Sequence, residues 1–208
     1  MYLEPLTKTS VEILAYLSSR VREKFTVRQI ADAIGKDYKI SYVMTMRLAE
    51  NGYLIAEKKR PVTNCRLNLK GNSSLLAYIE AIRVSRFFTT HKDVEILVKE
   101  LQLKITSPFY TMIIFGSYVK GGVTKKSDFD ILFIIPNRSL EKEVSSAVGS
   151  VGRISPMGIH EVVLTVKEFI SLLNQRTSNV AWEAVDNHII PYGAQALFKI
   201  LETELHDR

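Results

Sequence analysis

FGSYVKGGVTKKSDFDILFII, residues Phe115–Ile135, places a glycine and a serine directly after an apolar run. Ser127 follows, then two aspartates, Asp128 and Asp130, at the head of a second apolar run. Strand side chains alternate between faces, so Asp128 and Asp130 are expected on one side and Phe129 and Ile131 on the other, toward the core. Two carboxylates about 7 Å apart repel unless a cation lies between them. Mg²⁺ is commonly held by one or two carboxylates together with substrate phosphates. A glycine turn leading into a short helix lets a phosphate approach backbone N–H groups, and the Ser117 hydroxyl adds a donor. The pattern points to a metal–triphosphate site of the kind that serves phosphoryl or nucleotidyl transfer.

The flanking residues supply a scaffold. Pro108–Phe115 and Asp128–Ile135 read as buried strands, and His160–Val166 as a third. Helical patterns run over Lys92–Leu103 and Leu140–Ala147, and over the segments KEFISLLNQ, NVAWEAVDN and GAQALFKILETEL. Strands mixed with helices indicate a small α/β or α+β domain. Trp182 and Phe198 are expected in its core, and Lys125 and Lys126 either near phosphates or in solvent.

This half resembles the polymerase-beta-like nucleotidyltransferases, most closely the minimal ones. Phe115, Gly116, Ser117, Tyr118 and Gly121 match their motif in order, and Ser127, Asp128 and Asp130 stand at the family's spacing. Lys120 stands where arginine is usual. The resemblance covers about residues 92–208. It implies a nucleoside triphosphate substrate, with ATP one candidate, and two Mg²⁺ ions held by Asp128, Asp130 and a third carboxylate from a later strand. Glu161 in HEVVLT is the candidate for that third ligand, one methylene longer than the family's usual aspartate. His160 beside it is expected to face solvent. Gly116, Ser117, Lys120 and Ser127 are the implied nucleotide-binding residues. Minimal members modify acceptors that include proteins. A non-catalytic domain that senses nucleotide is the alternative.

The first part of the chain is different. Val11–Val21 carries apolar residues at helical spacing. Thr26 and Gln29 form a capping box before VRQIADAI, which Gly35 ends. A third helical pattern runs from about Lys39 to Glu50 with Ile40, Val43, Met44 and Leu48 as its apolar stripe, and Asn51-Gly52 stops it. Two short strands around a basic turn, Glu57 to Pro61, follow. Helix, short helix, turn, helix and hairpin in that order resemble the winged helix-turn-helix family over about residues 8–70. The resemblance implies duplex DNA as a partner. Its contacts would be Lys36, Lys39, Ser41, Tyr42, Thr45 and Arg47 on or before the recognition helix, and Lys58, Lys59 and Arg60 at the hairpin tip. A module used only for protein interaction is the other reading. Ser74–Phe88 reads as a connecting helix or as one serving a homodimer.

Composition agrees with two modules, 1–88 and 89–208, in a chain of 208 residues. Residues 1–88 hold 15 Lys+Arg against 8 Asp+Glu, while 89–208 hold 13 against 14. The basic excess therefore sits in the first module, as a nucleic-acid-facing part would have it. No apolar run nears the ~20 residues that span a bilayer, so no membrane partner is expected. One cysteine, Cys65, excludes an internal disulfide. A cytoplasmic α+β protein is the reading these observations give: a winged helix-turn-helix followed by a small nucleotidyltransferase-like domain with a short mixed sheet.

Overall fold

The computed structural model describes residues 6–59, 62–122, 127–175 and 177–205. Its first elements are α1 (Lys8–Ser18), β1 (Phe25–Thr26), α2 (Val27–Ile34), α3 (Tyr38–Glu50), β2 (Leu54–Lys59) and β3 (Val62–Leu67). The short helix begins where its sequence says. The Thr26 hydroxyl accepts from Gln29 N–H, the Gln29 side chain accepts from Thr26 N–H, and Gly35 closes the helix at φ 63°. Asp37 caps α3 by accepting from Lys39 and Ile40 N–H. β1, β3 and β2 form an antiparallel sheet in that order, with Phe25 opposite Cys65 and Leu54 opposite Leu67.

One expectation for α3 is reversed. Ile40 and Val43, read as core, are each 52% exposed, while Ser41, Thr45 and Leu48 are buried. Ser41 and Thr45 were expected to face DNA, and instead they point into the packing of α3 on α1 and α2. Small side chains at those two positions let three helices approach closely, a use that apolar periodicity does not detect.

α4 (Ser73–Thr90) runs unbroken through position 88 and packs on α1 at one side and on the second module at the other. Then come α5 (Lys92–Lys104), β4 (Thr111–Ile114), α6 (Ser117–Lys120) and β5 (Phe129–Ile135). After a 3-10 turn at Arg138–Leu140 follow α7 (Glu141–Gly152), β6 (Ile159–Thr165), α8 (Val166–Leu173), α9 (Val180–Asp186), β7 (Ile189–Tyr192) and α10 (Ala194–Leu205). The second sheet has the order β6-β5-β4-β7, parallel only between β5 and β6.

Both faces of this sheet are covered, which is why β5 is an almost continuous apolar run. Phe129, Ile131, Phe133 and Ile135 pack on α5 and α7 through Val94, Leu101, Val144 and Val148. Leu132 and Ile134 pack on α8, α9 and α10 through Phe169, Trp182 and Phe198. That second core continues through Leu76 and Ile79 of α4 into Ile13, Leu14 and Leu17 of α1. Arg22 adds a polar bridge: its guanidinium stacks 4.0 Å from the Trp182 ring centroid and donates to both carboxylate oxygens of Asp186. No helix among the described residues is long and apolar enough to cross a membrane.

Candidate active site

The site forms where β4 ends and β5 begins. β4 leads into Gly116, whose φ of 72° and ψ of −147° only glycine adopts without strain. The Gly116 carbonyl accepts from Val119 and Lys120 N–H at 3.3 and 3.1 Å, starting α6. Phe115 N–H donates to Asp130 C=O at 3.2 Å, tying the turn to β5. The Asp130 carboxylate lies directly over Gly116, in space that a Cβ there would fill. Asp128, just before β5, lies in the same way over Gly158, just before β6. Two glycines from two loops thus make room for the two carboxylates. Gly158 carries no signal in its own stretch, PMGIH; its role appears only once the strands are paired.

The β5–β6 register decides the third position. Asp130 pairs with His160, and Ile131 pairs with Glu161. Residues opposite each other on neighbouring strands share a face, so His160 stands beside Asp130 and Glu161 stands behind the sheet. The His160 ring donates through Nδ1 to Asp130 Oδ1 at 2.9 Å. Glu161 lines a cavity of about 450 Å³ with Ser145, Val148, Gly149, Arg153 and Gly158. The structure therefore does not bring Glu161 to Asp128 and Asp130. Its position along the strand matched the resemblance, but its face is the wrong one by a single residue.

The remaining nucleotide-site residues are close by in the chain. Ser117 opens α6, and its carbonyl accepts from Gly122 N–H at 3.1 Å. Ser127 is half-buried and adjoins Asp128. Lys120 reaches Glu183 of α9, with Nζ 3.0 Å from Oε1 and both side chains 47% exposed. An exposed pair of this kind contributes about 0–1 kcal/mol, so Lys120 is readily drawn to a phosphate. Tyr118 points inward, edge-on to Phe129 at 5.3 Å between ring centroids, and burial raises its phenol pKa above the ordinary value. It packs in the core. Lys125 and Lys126 lie outside the described residues.

The donor chemistry of the site fits Mg²⁺. Asp128 and Asp130 are oxygen donors set over glycine cradles on one face, as a hard cation sharing its shell with phosphates and water requires. Among the described residues, no group of three or more His, Cys, Asp or Glu side chains is arranged to hold a metal. When bound, the ion supplies charge stabilisation at the phosphoryl oxygens.

In the first module, Lys36, Lys39, Tyr42, Arg47 and Lys58 are exposed. Lys36 lies 3.8 Å from Glu12. Ser41 and Thr45 are fully buried, and no base contact is open to them. Only the backbone of Lys59 is described, and Arg60 lies outside the described residues.

Residues 94–180 match the family model of the nucleotidyltransferase domain. The match runs from α5 to the first residue of α9 and contains Gly116, Ser117, Asp128, Asp130 and His160. It supports nucleotidyl transfer as the general activity. No curated protein and no solved structure matches the chain.

Proposed function

We propose that the chain is a Mg²⁺-dependent nucleotidyltransferase that moves a nucleoside monophosphate from a triphosphate to an acceptor, joined to a winged helix that binds duplex DNA. The observation that carries the first half is the pair Asp128 and Asp130, each seated over a glycine beside the Gly116–Ser117 turn. These carboxylates hold the cation, and the turn and the Ser117 hydroxyl receive the terminal phosphates. The acceptor hydroxyl gives up its proton to solvent as its oxygen bonds to the α-phosphorus, the bond from the α-phosphorus to the bridging oxygen breaks, and pyrophosphate leaves. Support for the second half is the order of α1, β1, α2, α3 and the β2–β3 hairpin, with exposed cations on α3 and at Lys58.

A second reading has its own observation. With Glu161 behind the sheet, the site holds two carboxylates from the expected set of three. A domain of that kind serves as a nucleotide sensor that binds without turnover and signals to the DNA-binding module through α4.

Glu161→Gln tests the placement. The variant is expected to bind Mg·ATP within about twofold of wild type, because a side chain across the sheet adds little to the field at the phosphates. Loss of binding by tenfold or more, read by calorimetric titration, would return Glu161 to the site.

A further inference from the structure

We propose that the outer face of α3 reads thymine methyl groups in the major groove through Ile40 and Val43; this rests on the DNA-binding part of the proposed function. Ile40 and Val43 are each 52% exposed, and Tyr38 and Tyr42 beside them are 43% and 36% exposed. Four large apolar side chains within six residues of one helix thus face outward. At 100° per residue, Lys39 and Val43 fall opposite the buried set Ser41, Thr45 and Leu48, with Ile40 and Arg47 along one flank and Tyr42 along the other. An apolar face left open in this way marks a place where a partner binds.

The surroundings favour DNA over a protein partner. Lys36 and Lys39 stand at the N-terminal end of the face, Arg47 follows it, and all three are exposed. The acidic side chain closest in sequence, Asp37, is engaged with Lys39 and Ile40 N–H at 2.8 and 3.3 Å. A helix fits the major groove, and there the C5 methyl of thymine is the one apolar group on a base edge. Cations toward both ends of the face, Lys36 and Lys39 before it and Arg47 after it, are suited to phosphates of the DNA backbone. The aromatic flank is set in advance: the Arg28 guanidinium lies 5.0 Å from the Tyr38 ring centroid, and Tyr38 lies 6.2 Å from Tyr42. Lys39 and Arg47 supply the polar contacts that fix register, and the two aliphatic side chains supply discrimination.

The experiment uses the full chain. Duplexes are selected from a random pool at low salt, then resynthesised with uracil replacing thymine one position at a time. Uracil lacks only the methyl. Expected is an affinity loss of about fourfold for each contacted methyl, the effect of one buried methyl-sized group. The double variant Ile40→Ala/Val43→Ala is expected to bind the thymine and uracil versions of the site alike. Selected sites that lack thymine, or uracil duplexes bound as tightly as thymine duplexes, would overturn the inference while leaving DNA binding in place. Failure to bind any duplex at low salt would overturn the DNA reading and this inference together, and would assign the apolar face to a protein.

Discussion

A protein carrying Asp128→Asn and Asp130→Asn together keeps its fold and loses Mg²⁺-dependent triphosphate binding. The fold survives because neither carboxylate holds the core together. Asp128 is exposed, and Asp130 keeps a quarter of its side chain in solvent and contacts the mostly exposed His160. Asparagine preserves an acceptor for His160 and fills the same space over Gly116 and Gly158. Removing two neighbouring negative charges also relieves their repulsion in the metal-free protein, so the melting temperature is expected to match or slightly exceed wild type. Binding is lost because Mg²⁺ favours charged oxygen donors, and neutral amides replace both. The expected fall in affinity for Mg·ATP exceeds about 100-fold, since changes to outer groups alone cost 10–100-fold at metal sites. Calorimetric titration with and without Mg²⁺ reads it, and wild-type affinity in the variant would remove the cation from these aspartates.

The second large effect is structural. Arg83→Met is expected to destabilise the protein by about 3–5 kcal/mol, because it strips the partner from a buried carboxylate. Glu80 on α4 has no exposed surface. Its Oε1 accepts from Ile190 N–H at 2.8 Å and its Oε2 from Arg83, which also donates to His188 C=O at 2.6 Å. This cluster ties α4 to β7. Burial raises the Glu80 pKa above its ordinary value, and the neighbouring Arg83 charge works against that rise. Without Arg83 the rise grows. A raised folded pKa gives stability that is present below the unfolded value and lost as pH increases through the folded one. The deficit of the variant relative to wild type is therefore expected to shrink as pH falls toward the ordinary glutamate range. His188 acts in the opposite sense in the wild-type protein. Burial first, and the Arg83 charge second, push it down to about 3, so its contribution is lost as pH falls from about 6.5 toward 3. Denaturant melts of both proteins across pH 4–8 separate the two effects. Adding Glu80→Leu to Arg83→Met is expected to recover much of the loss, because no buried charge then lacks a partner.

What the sequence made legible was local. The strand, glycine turn, short helix and aspartate strand between Phe115 and Ile135 follow from adjacent residues, and so does the Thr26–Gln29 capping box. The features that escaped depend on partners distant in the chain. Glu161 and His160 are neighbours, and only the pairing of β6 with β5 decides which one meets Asp130. Gly158 matters because Asp128 lies over it from a strand about 30 residues earlier. The outward turn of α3 escaped because Ile40 and Val43 resemble core residues by hydropathy, while the buried positions are Ser41 and Thr45. β7, with a proline in Ile189–Tyr192, and the two-residue β1 are too short for periodicity to register. Glu80 reads as a surface glutamate until Arg83 and the backbone of β7 enclose it.

The most direct test of the central claim is pyrophosphate release by the full chain, measured with each of the four ribonucleoside triphosphates, with and without Mg²⁺, and repeated on the Asp128→Asn/Asp130→Asn protein. The account predicts release from at least one triphosphate that requires Mg²⁺ and falls to background in the double variant. Tight Mg²⁺-dependent binding of a triphosphate, with no release from any of the four even when cell extract supplies acceptors, would contradict it in favour of the nucleotide-sensing regulator.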